Sequence, residues 1–490
     1  MERACPAQVE SAILSISDGT RPILDQVSRS RPRAEVFILL VLVLLVGLLV
    51  VGRLRTRGLS ERGPSIETTL GAVEDELACL KRVAEESFTR EFEEVTASPN
   101  SDVFAEPETV RPEAVVAEVQ KVRELTFERI PEPIYLTASE LSERASGYAE
   151  DYPSAEAAAD SELLSSLGAV PEGSDLKELT AAALGEQVAG FYDTDTKQIV
   201  VTGDPEAGLD PIEELTLAHE FEHALADQAL GLPIDEDFPV DGTEDSTLAA
   251  TALVEGDATL TMALYSFTGA AIAPSALFGT ELAEAGGVTR LPYYLQRGMI
   301  FPYAEGLGFV CRLYQDGGWA AVNEAYADPP TTTAQILFTE RYEAKEGAVD
   351  PRDSASPGPG WSNDEVRAFG AADLLFLFEA PGDRSEQALD QPLQRAGGWA
   401  GGEVSLWSGE GGLDTATAMA LVQRAGERDL CRSMKDWYRA AFPDAGQVRR
   451  VSGEEMAADG SDGAVSLRCR GNEVRLGIAD DIGVARRVIA

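Results

Sequence analysis

Histidine is nearly missing from this sequence of 490 residues, which holds only two, His219 and His223. Any chemistry that needs an imidazole must use those two positions. Cationic side chains are also scarce, 40 Lys and Arg against 84 Asp and Glu, and a formal charge of -44 repels phosphate backbones at long range. That argues against a nucleic-acid partner. The five cysteines, Cys5, Cys79, Cys311, Cys431 and Cys469, form no CxxC pair and no dense framework. They build neither a thiolate metal site nor a disulfide scaffold, although Cys431 and Cys469 could bridge in an oxidising compartment. No internal repeat is visible. Aromatic residues are modest at 7%, but 44% hydrophobic content is enough to bury a sizeable core. The length implies one large domain with an accessory, or two domains and a linker.

Long apolar runs are equally rare, with one exception. Val36 to Gly52 reads VFILLVLVLLVGLLVVG, without a polar side chain and bracketed by arginines. This is expected to be a single uncleaved transmembrane helix, because the run starts late and is followed by RLRTRG where a cleavable signal would have a small-x-small site. Arg21, Arg29, Arg31 and Arg33 on one flank are balanced by Arg53, Arg55, Arg57 and Arg62 on the other, so charge alone does not orient it. The C-terminal part carries the acidic excess and is expected, by analogy, outside the cytoplasm. Leu70, Val73, Leu77 and Leu80 suit an amphipathic stalk helix, and ASPNSDVFAEPETVRP (97–112) reads as a linker. The expected layout is therefore a tail (1–35), the membrane helix (36–52), stalk and linker (53–112), a main domain (113–350) and a C-terminal α+β region (363–490). The breaker cluster SASPGPGWSND separates the last two. In the C-terminal region EVSLW, TATAMALV, VSLRC and EVRLGI look like strands around the helix RDLCRSMKDWYRAAF.

Within the main domain, GFYDTDTKQIVVTG predicts a β-hairpin. Asp210, followed by Pro211 and by Glu213 three positions on, predicts a capped helix to Leu230, stopped by Gly231 and Pro233. A second, largely apolar helix is expected from Ser246 to Phe267. The two histidines lie four apart in HEFEH on the first of these helices. That spacing stacks both imidazoles on one face, where their nitrogens can converge on one zinc ion, and Glu220 is placed to take a proton from water bound to the metal. The bland alternative is a chance HExxH on an amphipathic helix.

A catalytic zinc needs a third protein ligand and an open position. With no histidine left, the candidate is Glu255 in ALVEGDAT, a carboxylate inside an apolar stretch that needs a partner, with Asp257 as the alternative and a surface acid as the bland reading. Asp227, one turn beyond His223, suits a supporting role, holding an imidazole or lining the site. Two neutral histidines and one carboxylate fit zinc better than iron or calcium.

HEFEHALAD looks like the active-site helix of thermolysin-like enzymes, and HExxH followed on another helix by EGDA resembles the gluzincin clan. The order GFYD, IVV, LAHEFEHALADQ, ALVEGDATL, FPYAEG and PPTTTAQIL, over roughly Leu125 to Tyr342, resembles a family of bacterial zinc metallopeptidases. The resemblance implies an α+β, mainly helical zincin-like domain with a small sheet. It also implies zinc held by His219, His223 and Glu255, Glu220 as base, and the strand that precedes the active-site helix as the sheet edge along which a peptide or protein substrate pairs. Relatives often carry a histidine shortly after the QIL segment, where this chain has Phe338. Tyr303 in FPYAEG is a candidate oxyanion donor, a buried structural tyrosine being the other reading.

The expected function is thus a membrane-anchored zinc metallopeptidase. A non-catalytic membrane-tethered binding or envelope-assembly protein with a structural or vestigial zinc site is the competing class, and an intact Glu220 speaks against it. An intramembrane protease would need several spans and a far less acidic helix than Asp210 to Leu230.

Overall fold

The computed structural model describes residues 110–490, except 188, 205–207, 235–241, 269–290, 411–413, 444–448, 451–454 and 461–462. The expected tail, membrane helix, stalk and most of the linker lie outside the described residues. Among the described ones, no helix is long and apolar enough to cross a membrane.

The architecture is mixed α+β. The first part runs α1 (Pro112–Arg123), β1 (Ile134–Leu136), α2 (Ala138–Gly147), α3 (Ser154–Ser166), α4 (Leu176–Gln187), β2 (Gly190–Asp193), β3 (Gln198–Thr202), α5 (Pro211–Leu230), α6 (Glu244–Thr268), α7 (Tyr293–Ala327), α8 (Thr333–Leu337) and α9 (Thr339–Glu343). The second runs β4 (Trp361–Ala368), α10 (Ala371–Glu379), α11 (Pro392–Ala396), β5 (Trp399–Gly409), β6 (Thr415–Gln423), α12 (Leu430–Ala441), β7 (Arg449–Arg450), β8 (Glu455–Gly460), β9 (Gly463–Arg470), β10 (Glu473–Ala479) and α13 (Ile482–Arg487).

Helix α5 begins as its sequence dictates. The Asp210 carboxylate accepts from the amides of Ile212 (2.8 Å) and Glu213 (2.9 Å), while Glu213 accepts from the Asp210 amide (2.9 Å), closing a capping box. It ends at Gly231, whose φ of 77° a side chain would resist. Residues 214–226 of α5 and 249–262 of α6 are buried without interruption, so both helices are walled on every side and neither needs a polar face. Helix α6 packs on α5 and on α7. Its approach to α7 is backbone to backbone, because a Cβ on Gly256 would run into the Gly306 carbonyl and one on Gly306 into that of Ala252. Helix α7 turns sharply at Gly318 (φ 64°, ψ -161°). The first turn of α6 is tied to α8 through Asp245, which accepts from the amide (3.1 Å) and hydroxyl of Thr333.

The small sheet has the order β1-β3-β2, with β1 parallel and β2 antiparallel to β3. The GFYD/IVV hairpin forms as expected. The strand before the active-site helix, β3, is nevertheless central, which corrects its expected position at a sheet edge: β1, more than sixty residues upstream, pairs with its free side, and the edges are β1 and β2.

The second part is a seven-stranded antiparallel sheet of order β4-β5-β6-β10-β9-β8-β7. The four expected strands fall in β5, β6, β9 and β10, and the expected helix is α12, whose buried Leu430, Met434, Trp437 and Ala441 recur at helical spacing. A disulfide joins Cys431 on α12 to Cys469 on β9, with Cα atoms 6.0 Å apart. The sheet also takes in Trp361 to Asp364, read above as part of a breaker cluster. They lie on edge strand β4, where polar, exposed positions and a bulge between Asn363 and Glu365 are tolerated. A single apolar core continues from Val115, Leu217, Leu253 and Phe309 to Phe376, Leu421 and Leu476.

An ionic cluster joins the two parts. Arg367 of β4 donates to Asp160 of α3 (3.0 Å), whose other oxygen accepts from Tyr152 (2.5 Å), and lies 4.0 Å from Asp373 of α10. Asp373 accepts in turn from the Tyr294 hydroxyl and from the Gly370 amide (2.6 Å).

Candidate metal centre

One turn of α5 carries His219 and His223 to the face that meets α6, and α6 presents Glu255 to them. Glu255 Oε2 lies 3.1 Å from His219 Nε2 and 3.4 Å from His223 Nε2, and donor atoms of all three fall within 4.8 Å of one another. Zinc bonds of about 2.0–2.1 Å in a tetrahedron would separate adjacent donors by about 3.3 Å. The three side chains are fully buried. His223 Nε2 and Glu255 Oε1 lack a hydrogen bond among the described residues, which is a high cost for inward-facing polar atoms unless something else occupies the space between them. The donor set therefore fits zinc, on spacing, burial and chemistry alike.

Protonation points the same way. Burial pushes the His219 pKa down to about 4, leaving a neutral ring with a lone pair to give. Burial works against ionising Glu255 too, but His223 and His219 overcome it and hold the carboxylate below its ordinary pKa. His223 is raised, because the negative charges of Glu255, Glu220 and Asp257 outweigh its burial. A metal cation would take the place of that proton.

Glu220 is also fully buried, and neither of its oxygens makes a hydrogen bond of good geometry. Burial pushes its pKa up to about 8, with the charge of His223 and the nearby Tyr192 amide pulling the other way. A carboxyl group poised there can both accept and return a proton near neutrality. Tyr303 of α7 is buried, with its ring 6.3 Å from that of His219.

The alternative third ligand is not drawn in, and one expectation about a supporting residue changes. Asp257 does not join the triad. It receives the guanidinium of Arg123, the last residue of α1, at 2.8–3.1 Å. Asp227 accepts from the Tyr192 hydroxyl (2.5 Å) and pairs with Lys197 (2.8 Å), so it fastens α5 to the hairpin instead of holding an imidazole.

Sequence reasoning did not find Arg123 or Glu222. Glu222 is fully buried, 3.8 Å from His223 Nδ1 and 3.6 Å from Arg123 Nε, and burial holds its pKa well above the ordinary carboxylate range. Its place between the two histidines of HEFEH was the available signal. Arg123 offered none, being one arginine at the end of a short helix 96 residues before His219. Four buried carboxyl groups, Glu220, Glu222, Glu255 and Asp257, thus share the interior with one guanidinium. Such an excess of acid in a dry interior calls for further positive charge.

No family model, no curated protein and no solved structure matches this chain.

Proposed function

We propose that the protein is a zinc-dependent metallopeptidase of gluzincin-like design, held at a membrane by the apolar segment 36–52. The observation that carries this reading is the convergence of His219, His223 and Glu255, from two helices, on one buried point beside the unsatisfied Glu220. His219, His223 and Glu255 would hold the zinc, which when bound supplies Lewis acidity toward water and a peptide carbonyl. Glu220 takes the proton of the attacking water and returns it to the leaving amine. Tyr303, whose ring lies 6.3 Å from that of His219, is the proposed hydrogen-bond donor to the oxyanion. Burial of the whole constellation strengthens each of these electrostatic contacts. The Cys431–Cys469 bridge supports an extracytoplasmic catalytic region, since such bonds persist in oxidising compartments.

The test is metal analysis of the purified protein combined with a peptide-library digest. One zinc per chain and cleavage abolished by chelation are expected. A protein that takes up no zinc, or cleaves equally well without it, overturns the proposal.

A further inference from the structure

Arg123 is 0% exposed and its side chain touches three different helices. Its Nε and Nη2 grip both oxygens of Asp257, two residues beyond Glu255 on α6. Its Nε faces Glu222, the residue before His223 on α5, at 3.6 Å. Toward α7 it donates to Asn323 Oδ1 (2.7 Å) and stacks on Trp319, 4.3 Å from the ring centre. Trp319 in turn donates to the Val122 carbonyl (2.7 Å), which fixes the indole against the end of α1.

A planar guanidinium with five fixed donors can set the distance between two carboxylates in a way that a flexible ammonium cannot. The carboxylates it joins are next to, or one residue removed from, a residue of the triad on each helix. Glu222 also faces the outer nitrogen of His223, Nδ1, at 3.8 Å. Outer partners of metal-binding histidines orient the ring and raise its basicity, and losing them typically weakens metal binding about 10- to 100-fold.

We propose that Arg123 is a positioning residue for the metal centre: through Asp257 and Glu222 it sets the spacing of the α5 and α6 turns that carry His223 and Glu255. The inference rests on the zinc reading above. It makes the first helix of the described region, which supplies none of the triad's donor atoms, a determinant of metal affinity.

The test compares zinc affinity, by competition with a chromophoric chelator, in the full-length wild type, Arg123→Lys and Glu222→Gln. Melting of the metal-free proteins and the visible spectrum of their cobalt(II) forms are recorded alongside. Arg123→Lys keeps the charge but loses the fork, and Glu222→Gln keeps the shape but trades one of the two carboxyl oxygens, which face Arg123 and His223, for an amide nitrogen. Both are expected to bind zinc at least tenfold more weakly and to shift the cobalt bands, which report ligand arrangement. A purely structural role would lower the melting temperature and leave affinity and spectrum of the folded protein unchanged. If either folded variant binds within tenfold of the wild type, the inference falls. Should Arg123→Lys fail to fold, Glu222→Gln decides alone. A wild type that binds no zinc at all overturns the metallopeptidase reading, and that result is visible before any variant is made.

Discussion

Two arginines, Arg123 and Arg367, are each set among acids, fully buried ones around Arg123 and partly buried ones around Arg367, and the two clusters differ in what the acids lack. Around Arg367, Asp160 accepts from the guanidinium and from the Tyr152 hydroxyl, and Asp373, 4.0 Å from the guanidinium, accepts from the Tyr294 hydroxyl and the Gly370 amide. That cluster ties β4 to α3 and α10 and leaves its carboxylates satisfied. Arg123 faces Asp257 and Glu222, which with Glu220 and Glu255 make four buried carboxyl groups, and Glu220, Glu222 and Glu255 retain buried oxygens without a hydrogen bond of good geometry. Interior acid that is fully hydrogen-bonded serves the fold. Interior acid left unsatisfied beside two imidazoles is a group that could hold a metal ion, which is what the proposed function uses.

Substitutions can break this contrast. The largest effect is expected from His223→Ala, which removes one of three donors and should reduce bound zinc from one per chain to nearly none by elemental analysis. Glu220→Gln comes next, since it should keep the zinc while peptide cleavage falls by roughly 10²–10⁴-fold; unchanged turnover would remove Glu220 from the chemistry. Arg367→Met sharpens the comparison from the other side. Removing the cation between the partly buried Asp160 and Asp373, which keep their tyrosine and amide donors, should cost about 1–2 kcal/mol in denaturant unfolding, with zinc affinity of the folded protein unchanged. If zinc binding collapsed with it, the two clusters would not be independent. An effect of similar size is expected from Gly256→Ala, about 1–3 kcal/mol of overpacking against α7, read as a lower unfolding midpoint.

What the sequence disclosed depended on whether the relevant partners lie along one element. His219 and His223 share a helix face, so their spacing of four was enough. Glu255 could be singled out because Leu253, Val254, Ala258 and Leu260 around it forbid exposure, and a lone carboxylate in such company needs a partner. Asp257 has the same neighbours, and only its distance to Arg123 separates the two roles. The central position of β3 was hidden because its parallel partner β1 lies more than sixty residues away. Trp361 to Asp364 resemble a turn in composition because an edge strand with one face in water tolerates such residues. Asp227 lies on the expected helix, but Tyr192 and Lys197 reach it from a hairpin whose register no local pattern fixes.

The meeting of Gly256 with Gly306 has a practical corollary for anyone wishing to retune this centre. Main chain abuts main chain one residue from Glu255, with only the short Val310 side chain beside it, so little is available there to absorb a shift, and the depth at which the carboxylate enters is set by the helices themselves. Selectivity among metals should then respond to the length of the acid at position 255, where a shortened Asp would pull the donor back by one methylene, far more readily than to any repacking of the walls around it.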